Sequence, residues 1–225
     1  MRIRPAGLLL DFGSVLTYSL FEKHRDTEAM LGLPAHSLGW LGPLDPATDE
    51  LWRAMQDNRI TERDYWARRA DEIGRACGES GWDMHALLSR VRHTQPNAAI
   101  RADMRALVRA AAHAGIKVGI LSNELELFYG RSFLDRLDIM ADIAVVVDGS
   151  HSKILKPDAA AYRAAVDAMQ LPPARLLFVD DQFHNIAGAQ AAGLQTQYFD
   201  LRDAPGCCAA IAARLSLDLS SGAMQ

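Results

Sequence analysis

Four places in this chain of 225 residues hold side chains that could act on a bound molecule, and three of them stand where an oily run stops. Leu8-Leu9-Leu10 meets Asp11, Ile116 to Leu121 meets Ser122-Asn123, and Leu176 to Val179 meets Asp180-Asp181. The fourth is Lys156, just before Pro157-Asp158. A carboxylate can attack phosphorus or an alkyl carbon if nearby groups neutralise its charge and that of the approaching molecule. Two acids from different strands can hold a hard cation such as Mg2+, which keeps its other positions for water and substrate oxygens. Asp11 and Asp181 would supply them. A hydroxyl, an amide nitrogen and a lysine suit the oxygens of a phosphate. Ser122, Asn123 through its backbone or side chain, and Lys156 would fill those places. Lys156 is also expected at a helix entrance, where unpaired N–H groups favour anions.

These residues converge only if the runs that carry them are neighbouring strands. From about position 100 the pattern alternates helix and strand. Met104, Leu107, Val108 and Ala111 hold helical spacing up to Gly115. Strands are then expected at Ile116 to Leu121, Ile143 to Val147, Leu176 to Val179 and Gln195 to Phe199. A helix from Pro157-Asp158 carries Tyr162, Ala165, Val166 and Met169, and a shorter one runs from Asn185 to Ala192. Such a βαβ series predicts an α/β fold, a parallel sheet with helices on both faces. In that architecture ligands sit beyond the carboxyl ends of the strands, where the polar residues stand.

Between Thr17 and about Gln95 no strand pattern is evident. Met84, Leu87, Leu88 and Val91 read as helix, and Thr61 with Asp64 makes an approximate capping box before Tyr65 and Trp66. The expected organisation is a Rossmann-like core of residues 1–17 and 96–206, an all-helical insertion over 18–95, and a C-terminal helix and tail over 207–225. Ser220 to Gln225 is expected to fray.

Composition excludes several classes. A formal charge of −4 without a long basic run disfavours nucleic acid and anionic membranes, so a small molecule is the expected partner. The opening apolar stretch meets Asp11 too soon for a signal peptide, and no run could span a bilayer. A cytoplasmic location is expected. Cys77, Cys207 and Cys208 form neither a disulfide framework nor a Cys-x-x-Cys zinc site, and no histidines pair at ligand spacing. Asp11-Phe12-Gly13 and His24-Arg25-Asp26 suggest a protein kinase in isolation. Their order is reversed, and Leu31 stands where the catalytic-loop asparagine belongs.

Taken together, the motifs resemble those of the haloacid dehalogenase superfamily of hydrolases. Leu8 to Thr17 is similar to its first motif, Gly119-Ile120-Leu121-Ser122-Asn123 to its second and Lys156-Pro157-Asp158 to its third. Phe178 to Asn185 with Gly188 to Gly193 is similar to its fourth. The insertion falls where one subgroup carries a helical cap. Asp57 to Trp66 resembles a cap segment of the subgroup that includes sugar phosphatases and the N-terminal domain of soluble epoxide hydrolase. The resemblance implies a mobile cap, Asp11 as nucleophile, Mg2+ held by Asp11 and Asp181, and Asp180 touching the metal or orienting its waters. It also implies a monomer or homodimer.

One residue departs from the pattern. Phosphatases of this superfamily usually carry a second aspartate two positions after the nucleophile, to protonate the leaving group and activate water. Here the residue is Gly13, which can offer a metal only its carbonyl. Three readings follow: a phosphatase of small phosphorylated metabolites that tolerates the glycine, a hydrolase of carbon–halogen bonds, and a binding protein without turnover. Specificity is expected from the cap, with Tyr18, His24, Trp40, Trp52 and Arg53 as candidates. His24 is the candidate substitute for the missing acid, and His184 could line the entrance.

Overall fold

The central strand, β1 (Gly7–Leu10), is buried at every residue, because it pairs on both edges and is covered on both faces. The computed structural model describes residues 3–92 and 94–218. After β1 the chain runs into four helices, α1 (His24–Leu31), α2 (Glu50–Gln56), α3 (Glu62–Ala76) and α4 (Met84–Val91). It then returns as α5 (Ala102–His113), β2 (Lys117–Ser122), α6 (Leu125–Tyr129), α7 (Arg131–Leu134), β3 (Val145–Asp148) and α8 (Gly149–Ser152). The remainder is α9 (Ala159–Met169), β4 (Leu176–Asp180), α10 (Phe183–Ala191), β5 (Gln195–Tyr198) and α11 (Ala204–Leu215).

All five strands are parallel, in the order β3-β2-β1-β4-β5. Sequence order therefore reverses on either side of β1, which creates the crevice such sheets use for ligands. Leu10 is level with Ile120 of β2 and Val179 of β4, so the three strands end within two residues of one another. The side-chain period of two divides the core cleanly. Leu8, Leu10, Val118, Ile120, Leu177 and Val179 face the side of α5 and α11. Leu9, Leu121, Leu176 and Phe178 face Ala161, Tyr162, Ala165 and Met169 of α9 and Ile186 and Ala189 of α10.

The expected third strand, Ile143 to Val147, lies further along, at Val145–Asp148. Ile143 instead closes the turn before it, and pairing starts when the Ala144 N–H donates to the Val118 carbonyl at 2.8 Å. Asp148 ends the strand and caps α8 through Ser150. The expected division at residue 207 falls inside α11. Asp203 caps that helix, and Cys208, Ile211 and Leu215 are buried against the core. Residues 219–225, which include the expected frayed tail, lie outside the described residues.

The described part of 18–95 forms helices and turns without a strand. Its interior is aromatic: Phe21 packs edge-on against Trp40 and Trp52, and Tyr65 against Trp66. A buried Asp49 accepts from Tyr65 Oη at 2.7 Å and from Arg69 and caps α2, so its charge is fully answered. The Thr61–Asp64 capping box opens α3. The helical unit seats on the core partly where α4 meets α6. There Gly130, at φ +76°, leaves room that a Cβ would take from the His85 ring.

Candidate active site

The loop after β1 is shaped before any side chain acts. Asp11 is extended, its N–H donates to the Val179 carbonyl at 2.9 Å, and Ser14 takes a left-handed conformation at φ +65°. A non-glycine residue there is uncommon and needs external support. Arg101, 4% exposed, supplies it by donating twice to the Ser14 carbonyl while pairing with Glu22.

Lys156 organises the charged centre. Its side chain is 2% exposed, and Nζ donates to Asp11 Oδ1 at 2.7 Å and Asp180 Oδ2 at 2.6 Å. Burial opposes its charge, but Asp11 and Asp180 outweigh that and keep the ammonium protonated. The helix entrance expected at Lys156 begins later, at Ala159, where Asp158 itself accepts the Ala160 N–H. The lysine backbone is clamped by Asn123, whose Oδ1 accepts from Lys156 N at 2.7 Å and whose Nδ2 donates to Lys156 O at 3.2 Å. Asn123, expected on the substrate, thus has its side-chain amide engaged in holding Lys156.

Asp11, Asp180 and Asp181 each bring one oxygen within 4.8 Å of the others. Their hydrogen bonding separates them. Asp180 accepts from Gln182 N–H at 2.8 Å, from Asn185 Nδ2 at 3.1 and 3.2 Å, and from Lys156, which occupies both oxygens. Asp180, expected among metal contacts, is therefore placed to hold Lys156. Asp181 receives no hydrogen bond from a described residue, and Asp11 keeps one oxygen unbonded. Burial pushes the Asp11 carboxyl up to about 7, Lys156 opposing and Asp180 adding to the rise. Burial, Asp180 and Asp11 raise Asp181 as well. One ammonium faces this cluster, and the buried acceptors Asn185 Oδ1 and Gln182 Oε1 have no donor among the described residues. An excess of oxygen acceptors over positive charge is what a hard divalent cation answers, so the residues present fit Mg2+.

The pocket above holds about 70 Å3 and is lined by Asp11, Gly13, Ser122, Lys156 and Asp181 at its base. Trp52, Trp66, Met84, Leu88 and Phe128 form apolar walls, and Tyr18 stands on the rim of the insertion. His24 and Arg53 are not in this lining. His24 is buried against Trp40, 4.4 Å between ring centroids, and burial lowers its pKa. Arg53 is exposed and donates to the Ala47 carbonyl. Neither is placed to meet a substrate at Asp11, and His24 cannot replace the missing acid. Trp40 is likewise core to the insertion. His184 lines a separate cavity beside Lys156 and Thr61.

Glu62 and Arg92 are among the lining residues that the sequence pattern does not reveal. Glu62 enters from the first turn of α3, where its Oε1 accepts from Gln182 at 3.0 Å and Oε2 from Asn123 at 3.4 Å. Arg92, past the end of α4, donates from Nη2 to the Tyr18 carbonyl at 2.5 Å, while Nη1 is buried without a partner among the described residues. The capping box at Thr61 marks Glu62 as the first helical residue. No local signal tells that this turn faces the core.

The family model for haloacid dehalogenase-like hydrolases matches residues 6–193. The chain belongs to that family. Among curated relatives of this haloacid dehalogenase-like hydrolase are two phosphatases. One, from Mycobacterium tuberculosis, is 32% identical over 98 residues, 44% of this chain and 45% of the relative. The phosphoglycolate phosphatase of Rhodospirillum rubrum is 32% identical over 159 residues, 68% of this chain and 64% of the relative. Both alignments span less than two thirds of the relative's length. Among solved structures, the HAD-hydrolase YfnB of Bacillus subtilis, solved with magnesium, covers 88% of this chain and 87% of its own at 16% identity and a TM-score of 0.63. The L-2-haloacid dehalogenase RSc1362 covers the same shares at 19% identity and a TM-score of 0.60. At these identities the likeness establishes the shared fold.

Proposed function

We propose that this hydrolase is a Mg2+-dependent phosphatase of a small phosphorylated metabolite, of the sugar phosphate class, working through a phosphoryl group carried on Asp11. The observation that supports it best is the division of labour among three aspartates: Asp180 binds Lys156, while Asp11 and Asp181 keep oxygens for a cation. A halide leaves without a proton or a metal, so a dehalogenase has no use for that arrangement. The phosphatase names of the curated relatives agree.

In this reading Asp11 and Asp181 hold Mg2+, with the Gly13 carbonyl a further oxygen at the pocket base. The cation supplies charge that offsets the phosphate dianion and draws electron density from phosphorus. Lys156 holds Asp11 in place and favours its ionised form, and Ser122 offers its hydroxyl to a non-bridging phosphate oxygen. The apolar walls exclude water while the phosphoryl group is transferred.

The test is phosphate release from sugar phosphates, nucleotides and an aryl phosphate, with Mg2+ and with chelator. Release that needs the metal and disappears in Asp11→Asn is expected. Turnover of a 2-haloacid, unaffected by chelator, would instead establish the carbon–halogen reading.

A further inference from the structure

The glycine at position 13 leaves the proposed reaction without a group to protonate the leaving oxygen. Crowding does not explain it. A Cβ built at Gly13 meets nothing closer than Tyr129 Oη at 3.9 Å, and the backbone there, φ −66° and ψ 135°, suits any residue. The space an acid would fill is open to the pocket.

A carboxyl reaches that pocket from the other side. Glu62 is carried by α3 of the insertion, and its two oxygens rest on the side chains of Gln182 and Asn123. Those residues directly follow Asp181 and Ser122, so the carboxyl is suspended over the centre where phosphate would lie. We propose that Glu62, supplied by the cap, is the general acid and base of the reaction in place of the residue missing at position 13. The inference rests on the phosphatase reading above.

The surroundings fit a group that must carry a proton in one step and lose it in the next. Both hydrogen bonds to Glu62 come from neutral amides, so no cation locks it as a carboxylate. Burial raises its pKa, with Asp180 and Glu124 adding and Lys156 and the Asn123 hydrogen bond opposing. Asp11 also faces it across the pocket. A neutral carboxyl avoids repulsion with the incoming phosphate and can donate to the ester oxygen.

The steps balance. Asp11 Oδ forms a bond to phosphorus as the phosphorus–ester oxygen bond breaks, and the departing oxygen keeps the electron pair and takes the Glu62 proton. The alcohol leaves and Glu62 is a carboxylate. A water then gives its proton to Glu62 as its oxygen bonds to phosphorus, and the bond from phosphorus to Asp11 breaks with its pair returning to the carboxylate. Inorganic phosphate leaves, and both side chains are restored. Because α3 belongs to the insertion, the acid is present only when the cap is seated.

The test compares kcat/KM, which reports the first phosphoryl transfer, for glycerol phosphate and p-nitrophenyl phosphate with Mg2+ present. The alkoxide of glycerol needs a proton to leave; the nitrophenolate does not. Glu62→Gln is expected to lower the glycerol phosphate value on the order of 100- to 10,000-fold, with a change of less than about fivefold on the aryl ester. Adding Gly13→Asp to Glu62→Gln should recover at least about tenfold on glycerol phosphate. Glu62→Ala, which brings no amide against Asn123, should behave as Glu62→Gln does. Equal losses on both esters, or no loss, overturn the role of Glu62 while leaving the phosphatase reading intact. No metal-dependent release from either ester by the parent overturns the phosphatase reading, and the acid role falls with it.

Discussion

The core and the helical insertion place polar groups in the pocket by different means. In the core, Asp11, Ser122 and Asp180-Asp181 are delivered by strand ends whose register is fixed by paired neighbours on both sides, and Lys156, from the loop before α9, ties two of those ends together at 2.6–2.7 Å. In the insertion, Glu62 and Arg63 project from one helical turn and meet the core through side chains alone. Arg63 lies flat on Glu124 with two hydrogen bonds, at 2.8 and 2.9 Å, and its side chain is 45% exposed. The core centre is therefore organised without the insertion, whereas the insertion's contribution depends on where its four helices come to rest. Groups fixed on strand ends and groups carried by a separate helical unit divide the pocket between two means of placement, so that the second set can change without disturbing the first.

The strongest way to break that contrast is to remove the tie within the core. Lys156→Met leaves Asp11 and Asp180 buried without a cation and is expected to reduce phosphate release on the order of 1,000-fold. Urea unfolding at neutral pH should show a loss of about 3 kcal/mol. A Lys156→Met protein as stable and active as the parent would mean the core is not organised around this residue.

Metal binding comes next, because it concerns the core alone. Mg2+ at about 100 times its Kd stabilises a protein by about 2.7 kcal/mol, here a rise in Tm on the order of 5–10 °C. Asp181→Asn should abolish the rise, and Glu62→Gln should keep it. A rise that survives Asp181→Asn would put the cation elsewhere.

The seam itself offers a smaller effect. Arg63→Ala removes the pair to Glu124 without touching the pocket base, and KM is expected to increase about two- to fivefold with kcat changed less. A fall in kcat with constant KM would show that the seam acts on the chemistry.

The smallest effect lies inside the insertion. Burial holds His24 below its ordinary 6.5, so the unfolded chain takes up the proton first as pH falls. The stability gained from the neutral ring is fully present above 6.5 and is lost as pH falls through the lower, folded value. Urea midpoints measured across pH 5–7 should therefore slope downward toward acid in the parent, and His24→Phe should flatten the slope. An unchanged slope would place the titrating group elsewhere.

The same contrast explains what could be read from the sequence. Asp11, Ser122 and Asp181 are visible because oily runs of strand length stop at them, and strand register converts that pattern directly into position, whereas Lys156 shows only through the Lys-Pro-Asp that follows it into α9. The four motifs made the family resemblance legible for the same reason, and the family model covers that span. The edge strand β3 was misplaced by two residues at its start because Ile143 is as apolar as the strand it precedes. His24 and Arg53 were singled out by residue type within a helical region, where type does not say which face meets the pocket. Packing turned His24 into the aromatic interior and left Arg53 in solvent. Glu62 was hidden by the converse problem: the first turn of an N-capped helix ordinarily favours an acid for local reasons, so nothing in Thr61-Glu62-Arg63-Asp64 signals a tertiary role. Arg92 follows α4 without periodicity, and its bond to the Tyr18 carbonyl joins residues far apart in sequence.

The measurement that bears most directly on the central claim is a single-turnover reaction with a phosphate ester, quenched in acid and followed by mass analysis of the peptide carrying Asp11. The account predicts a transient phosphoryl group on Asp11 that forms with Mg2+ and is absent from Asp11→Asn. Phosphate released at full rate with Asp11 unmodified, or turnover retained in Asp11→Asn, would contradict it.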